Sequence, residues 1–223
     1  MKILAIDTSG RIASCSLCED GKETASCVKD SNLDHSRTIL PLCHEMLKER
    51  GLAFKNIDAF AASVGPGSFT GIRIGVSAVK GFCLSGDRPG AGISTLEAAA
   101  VLVKENGLIC PVIRAREDEY FYGFFRRKAD GFYRICPDGC LMGNELKTLL
   151  YGAEWMLCGD GAAGFLEKYP CSNVRDTGIA QSASGVAECA WELYLCEGLV
   201  SGGDITPVYL KKTQAERMRE EKL

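Results

Sequence analysis

This 223-residue chain has little histidine, no long apolar run and no excess of positive charge. No stretch approaches the roughly 18 to 20 apolar residues that a membrane-spanning helix needs. Asp7 interrupts the apolar N-terminus and no small-residue cleavage site follows, so we expect no signal peptide. The 26 basic and 29 acidic residues leave a formal charge of -3, without the cationic excess that tight nucleic-acid binding by one chain requires. We therefore expect a cytoplasmic protein whose contact with RNA is modest or shared with a partner.

The two histidines do not have the spacing of a metal-binding pair. His35 and His44 are nine positions apart, whereas two ligands on one helical face lie at i and i+4. His44 begins a sequence like H-E-x-x-H, but Lys48 stands where the second histidine should be. There is also no G-x-S-x-G motif. We expect no metal site, and histidines at a helix start and on its solvent face.

The twelve cysteines are not spaced like a zinc site. Cys15 and Cys18 fall in a predicted strand, where side chains three apart point to opposite faces. Cys136 and Cys140 fall at a predicted turn and could approach each other, but no second ligand pair follows. We expect reduced thiols that serve as small apolar residues.

The hydrophobic pattern predicts the order β-β-β-α-β-α-β-α in the first half and a less regular repeat of it in the second. The repeat indicates an α/β fold of two lobes, residues 1–104 and 105–210, followed by a charged tail at 211–223. Predicted strands cover 2–7, 12–18, 22–29, 58–64, 90–94, 109–114, 120–126, 132–135 and 154–158. Predicted helices cover 36–50, 70–85, 95–104, 144–151, a short stretch ending at 168, and 182–199.

A glycine-rich segment, the signature loop, joins a predicted strand to a predicted helix. It resembles a phosphate-binding loop but has neither G-x-G-x-x-G nor G-x-x-x-x-G-K spacing. Its backbone amides could hold an anion at the helix start, although a tight turn is the favoured reading of these residues alone. The residues of interest are Gly65, Pro66, Gly67, Ser68, Phe69, Thr70 and Arg73.

The helix after this loop is unusually smooth and apolar. Each interior glycine costs about 0.5 to 1 kcal/mol relative to alanine, so Gly71 and Gly75 call for a close backbone approach. Only Arg73, Ser77 and Lys80 form a polar stripe. The residues alone leave two alternatives equally weighted, a helix buried in its own domain and an interface with another molecule.

Two predicted turns could face a nucleotide. Asp7, Thr8 and Ser9 end the first strand, where an actin-like ATPase places an acidic residue near metal-bound phosphate. The turn Gly159-Asp160-Gly161 could be the facing phosphate loop. Both are also ordinary turn sequences, so the signal is weak.

Four segments follow one another at a characteristic spacing over residues 1–100: Ile6-Asp7-Thr8-Ser9, Asp34-His35-Ser36, Ser63 to Gly75, and Ser94-Thr95-Leu96-Glu97. Together they resemble the TsaB family, also called YeaZ. The late Pro207-Val208-Tyr209-Leu210-Lys211 is similar as well, whereas the rest of the second half is less specific.

The resemblance implies a duplicated actin-like ATPase fold (ASKHA, ribonuclease H-like) and a bacterial role in making N6-threonylcarbamoyladenosine at position 37 of tRNA. It implies a non-catalytic dimerisation subunit that binds and activates the paralogue TsaD, which holds a metal through H-x-x-x-H. His35 has no second histidine at that spacing. TsaE supplies an ATPase, tRNA is met only through the complex, and the chain alone forms a homodimer.

The resemblance also places the partner surface on the two helices described above. No cofactor is expected to bind tightly, and ATP or ADP would lie at the partner interface. The implied interface residues are Leu40, Cys43, Leu47, Gly71, Ile72, Gly75, Val76, Ala78 and Val79.

The alternative hypothesis is an enzyme of the actin-like superfamily. An ATP-dependent phosphotransferase would use Asp7 and Asp160 around magnesium. A peptidase-like activity is the other form of this alternative.

Overall fold

The chain opens with an antiparallel meander of β1 (Lys2–Asp7), β2 (Ile12–Glu19) and β3 (Lys22–Asp30) in a computed structural model that describes residues 1–30, 34–196 and 198–211. Asp20 and Gly21, between β2 and β3, have positive φ angles of 48° and 81°. An Asp-Gly pair adopts this geometry readily, and it matches the twist of the flanking strands. The predicted meander is confirmed, with strand ends within one residue of those expected.

The first half continues through helices that alternate with parallel strands. These are α1 (His35–Glu49), a short 3-10 helix (Phe54–Asn56), β4 (Ala59–Gly65), α2 (Phe69–Leu84), β5 (Pro89–Ser94) and α3 (Thr95–Val101). The Ser94 hydroxyl accepts a hydrogen bond from the Glu97 amide at 3.2 Å, so the predicted cap of α3 is confirmed. The inner faces of α1 and α2 pack with β1 and β4 in one apolar cluster.

The second half uses the same types of element in the same order. They are β6 (Gly107–Arg116), β7 (Glu119–Lys128), β8 (Gly131–Met142), α4 (Gly143–Leu149), β9 (Trp155–Cys158), α5 (Ala162–Lys168), β10 (Val174–Asp176), α6 (Ala183–Cys196), β11 (Val200–Ser201) and a 3-10 helix (Gly202–Asp204).

Both sheets repeat one strand order. The first runs β5-β4-β1-β2-β3 and the second β10-β9-β6-β7-β8, with β11 added beside β5 at the edge of the first. In each sheet an antiparallel meander is followed by two parallel strands. The predicted duplicated α/β fold is confirmed.

The third helix of each half packs against the sheet of the other half. α6 lies with Ile3 and Ala5 of the first sheet, and Ala99 and Ala100 of α3 lie with the core of the second sheet. Two elements from residues 105–210, α6 and β11, therefore belong with the first sheet. The reason is that the first sheet has a second apolar face, which α6 covers.

Strand β8 differs from its prediction. It extends well beyond residues 132–135 and includes Cys136 and Cys140, which were expected at a turn. β8 is an edge strand whose pairing with β7 is irregular near Phe124, and an edge position tolerates Pro137 because no neighbour needs its missing amide proton. Of the predicted tail, only Lys211 is described, and its ammonium pairs with Glu119. Residues 212–223 lie outside the described residues.

Candidate functional site

Asp7 ends β1 in a buried position. Its side chain is 2% exposed, and its Oδ1 accepts hydrogen bonds from the Ser9 amide at 2.7 Å and the Ser63 hydroxyl at 3.0 Å. Among the described residues, Oδ2 has no hydrogen-bond partner. Burial raises the pKa of Asp7 above its ordinary value, against the lowering effect of the hydrogen bonds and of nearby His35.

Three glycines of the signature loop and α2 lie against the turn that follows Asp7. A Cβ at Gly67 would lie 2.5 Å from the Ser9 carbonyl oxygen, and one at Gly75 would lie 2.5 Å from the Thr8 hydroxyl. A Cβ at Gly71 would overlap the Thr8 carbonyl oxygen. The Thr8 hydroxyl donates to the Gly71 carbonyl at 2.7 Å, and the Ser68 amide donates to the Ser9 carbonyl at 2.8 Å.

The close approach predicted for these glycines exists, but it is made to the same chain. Seven of the nine implied interface residues are buried beneath the helices. The physical reason is that the glycines and the neighbouring apolar positions of α2 share the inward side of the helix. The buried seven are Cys43, Leu47, Gly71, Ile72, Gly75, Val76 and Val79.

The other side of α1 and α2 carries an open groove of about 510 Å³, here called the α1–α2 groove. Leu40 at its wall is 45% exposed, and Ala78 is partly exposed. These are the two implied interface residues that remain accessible. The groove is lined by Ser36, Ile39, Leu40, Thr70, Arg73, Ile74, Ser77 and Ala78.

The C-terminal segment, residues 205–211, packs against the end of β4 and the start of α2. The Val208 amide donates to the Val64 carbonyl at 2.8 Å, and Gly65, with φ of 119°, is packed so closely on the Val208 carbonyl that a side chain would overlap it. The Tyr209 ring stacks on Phe69 with 5.0 Å between centroids.

Tyr209 also contacts Arg73, which lines the groove. Arg73 Nε donates to the Tyr209 hydroxyl at 2.7 Å. The sequence pattern at Pro207 to Lys211 signalled the family, but nothing in it indicated that this segment meets residues more than a hundred positions earlier.

The predicted second turn faces the first across the two halves. A Cβ at Gly10 would lie 2.9 Å from Gln181 Nε2 and 3.1 Å from Asp160 Oδ2. The Gln181 amide group donates to Asp160 at 2.8 Å. Partial desolvation raises the pKa of Asp160 above its ordinary value, against the lowering effect of the Gln181 hydrogen bond, and repulsion from Asp7 adds to the increase.

The three backbone amides of the second turn are bonded within the chain. The amides of Gly159 and Gly161 donate to the carbonyls of Ile179 and Val112, at 2.7 and 3.0 Å. The Asp160 amide donates to Gln181 Oε1 at 3.0 Å. A phosphate loop instead needs amides that are free to point at the ligand. The chain's own groups thus take the contacts that a phosphate would need.

The two histidines lie on α1, one buried and one exposed. His35 starts α1, is buried, and its Nε2 lies 2.9 Å from the Gly10 carbonyl oxygen, while His44 is exposed on α1.

All twelve cysteines are free thiols and seven are buried. Cys15 and Cys18 pack in clusters on opposite faces of the first sheet, as predicted. Burial raises the pKa of the Cys110 and Cys189 thiols well above the ordinary value.

The described ranges hold neither a metal-binding cluster nor a membrane-spanning helix. No three His, Cys, Asp or Glu side chains within residues 1–30, 34–196 and 198–211 are placed to share a metal ion. In the same part of the chain, no helix combines the length and apolarity needed to cross a membrane.

The fold and sequence are similar to those of known proteins. A family model described as "TsaD: tRNA N6-adenosine threonylcarbamoyltransferase" matches residues 29–144. "tRNA threonylcarbamoyladenosine biosynthesis protein TsaB" of Escherichia coli (strain K12) is 29% identical over 227 residues, covering 96% of each chain. The protein of that name from Buchnera aphidicola subsp. Schizaphis graminum (strain Sg) is 38% identical over 172 residues, covering 71% of this chain and 78% of its own.

A solved structure has the same overall fold. "YeaZ from Pseudomonas aeruginosa" superimposes with a TM-score of 0.83 and 26% sequence identity, over 94% of this chain and 99% of that one. The chain therefore shares the fold of that structure, with two α/β halves that repeat one strand order.

Proposed function

Because this chain belongs to the TsaB family of tRNA threonylcarbamoyladenosine biosynthesis proteins, we propose that it is a non-catalytic, cytoplasmic subunit that binds and activates a transferase of the TsaD type through the α1–α2 groove. Two helices carry the contact. Their inner faces rest on the core of this chain, and their outer faces are left for the partner.

The observation that carries the proposal is the composition of the α1–α2 groove. Leu40, Ile74 and Ala78 form an apolar centre, and Ser36, Thr70 and Ser77 surround it with small polar groups. An apolar centre with a polar rim is the usual anatomy of a protein interface. Small residues along the groove also allow another helix to approach closely.

Similarity to the transferase family supports this choice of partner. The matched residues, 29–144, include all of α1 and α2, so a transferase of that family has an equivalent helix pair. Two equivalent helix pairs can pack face to face around a twofold or near-twofold axis, as isologous interfaces do. The same geometry supports a homodimer when this chain is alone.

The positions of the groups that could take part in catalysis support a non-catalytic role. Asp7 is buried at the end of β1, and His35 is buried against Gly10. The amides of the turn at Gly159 to Gly161 bond to the chain itself. We extend the proposal to ligands: no nucleotide is held tightly by this chain alone, and ATP or ADP, TsaE and tRNA are met only within the complex.

A charge placed in the groove tests the proposal. Leu40→Arg puts a cation into the apolar centre and should weaken binding to the TsaD-type partner by at least about tenfold, since burying one leucine contributes about 1.5–3 kcal/mol. The affinity is measured by calorimetry, and complex formation by analytical ultracentrifugation. tRNA modification by the mixture should fall in parallel.

Leu149→Arg is the matched control, because Leu149 ends α4 in the other half and is 49% exposed, close to the 45% of Leu40. It should bind as the unchanged chain does. Equal, tight binding by both variants would show that the groove is not the interface.

A further inference from the structure

We propose that Arg73, held in position by Tyr209 of the C-terminal segment, is the charged anchor of the partner surface and pairs with a carboxylate of the TsaD-type partner. This inference rests on the proposed function and adds the chemistry of the contact. It makes the C-terminal segment part of a surface otherwise formed by α1 and α2.

The first step is the position of Arg73. It lines the α1–α2 groove beside Ile74, and its side chain is exposed. The groove centre is apolar, so this guanidinium stands at the border between the apolar surface and water. Arginine is enriched at such places in protein interfaces.

The second step is the unused charge of Arg73. Every ion pair of the described residues joins other groups, and Arg73 has no carboxylate partner there. Its Nε donates to Tyr209, which leaves both Nη groups directed away from that bond. Two parallel N–H groups match the two oxygens of a carboxylate. The complementary group on the partner is therefore an aspartate or glutamate.

The third step is the rigidity of the arrangement. The guanidinium carbon lies 5.4 Å from the centroid of the Tyr209 ring, and that ring stacks on Phe69. The residues on either side of Tyr209 are also fixed: Val208 bonds to Val64, and Leu210 packs in an apolar cluster of the second half. A cation already held in one geometry loses less conformational entropy on binding than a free surface arginine.

The fourth step is continuity of the surface. Val208 and Tyr209 are 46% and 40% exposed, and Tyr209 bonds directly to a residue of the groove. A partner helix that covers the groove and reaches Arg73 would meet Tyr209 at the same time. Tyr209 is thus a positioning residue for Arg73.

Four variants of the full chain test the inference by calorimetry with the purified TsaD-type partner. Arg73→Glu should weaken binding at least about 100-fold, because like charges meet at the contact. Arg73→Ala should weaken it about 5- to 30-fold, and Arg73→Lys by less, since lysine cannot make the bidentate contact. Tyr209→Phe keeps the ring but loses the hydroxyl acceptor, and should weaken binding about threefold.

Salt dependence separates an ion pair from a merely structural role. Between low and high NaCl, affinity should fall more for the unchanged chain than for Arg73→Ala, because screening acts on the pair that this variant lacks. Arg126→Glu, an exposed cation on β7 outside the groove, is the control and should bind normally. Thermal unfolding of each variant shows that the fold is retained.

The outcomes distinguish the inference from the proposed function. If Leu40→Arg abolishes binding but the Arg73 and Tyr209 variants bind normally with unchanged salt dependence, the inference is wrong. The proposed interface at the α1–α2 groove is then retained. If Leu40→Arg also binds normally, both are wrong. Weakening confined to the homodimer of this chain would equally overturn the inference, since it would assign Arg73 to self-association.

Discussion

At the scale of single residues, Asp7 is the clearest departure from ordinary burial. An acid that is 2% exposed normally has a cation or several donors, whereas one oxygen of Asp7 has no partner among the described residues. The raised pKa means that the folded chain retains this proton at pH values where the unfolded chain has released it. The burial of Asp7 therefore destabilises the folded state increasingly as the pH rises.

Asp7→Asn should remove that effect. Above about pH 4, the pKa of an unfolded aspartate, and up to the raised pKa of the folded one, the unfolded state binds fewer protons than the native state, so stability falls with rising pH. Asparagine can keep the Oδ1 contacts without a charge. The variant should lose less stability than the unchanged chain between pH 4.5 and 7, measured by urea unfolding. Asp87→Asn, at an exposed residue, is the control, and equal slopes for all three proteins would contradict the explanation.

The sequence predicted at this scale that Gly71 and Gly75 needed close backbone contact, and it could not predict with what. A glycine in a helix indicates only that another group packs closely against the backbone there. Whether Thr8 of the same chain or another molecule does so depends on which side of α2 faces the sheet. That is decided by long-range packing across more than sixty residues.

At the scale of elements, α2 serves two surfaces with different requirements. Its inner side needs glycine so that the helix can rest on Thr8, and its outer side carries Arg73, Ile74 and Ser77 toward the groove. Gly81 meets neither requirement, because a Cβ there would have no neighbour within 4 Å. Replacing Gly71 and replacing Gly81 with alanine should therefore change the stability of the chain in opposite directions.

Alanine at these positions provides the test. Gly71→Ala should destabilise the chain by about 1–3 kcal/mol, because the new methyl group overlaps a backbone carbonyl that cannot rotate away. Gly81→Ala should stabilise it by about 0.5–1 kcal/mol through helix propensity. Chemical denaturation measures both. A destabilising effect of similar size at both positions would show that Gly71 has no special contact.

Elements with strong local signals were predicted well. The meander has an Asp-Gly turn, and α3 has a Ser-x-x-Glu cap, so both were found from the sequence. β10 and β11 are three and two residues long and were missed. β8 was predicted short because Pro137 and Gly139 read as a turn, whereas an edge strand accepts them.

At the scale of the whole molecule, the two halves face each other through turns whose polar groups are already bonded. We expect calorimetry with magnesium and ATP or ADP at millimolar concentration to give no binding heat for this chain alone. The physical reason is that the backbone amides of the second turn are occupied and Asp7 is buried. Binding heat that disappears in Asp7→Ala and Asp160→Asn would refute this and favour the phosphotransferase alternative.

The packing of α6 on the first sheet has a consequence for synthesis. A ribosome makes the chain from its N-terminus, and the strands that α6 covers are complete long before residues 183–196 exist. One apolar face of the nascent sheet, with Ile3, Ala5 and Ala61, therefore stays uncovered until most of the chain has been translated. We therefore expect the nascent N-terminal half to expose this apolar face until the polypeptide is nearly complete, a state that favours aggregation or chaperone binding.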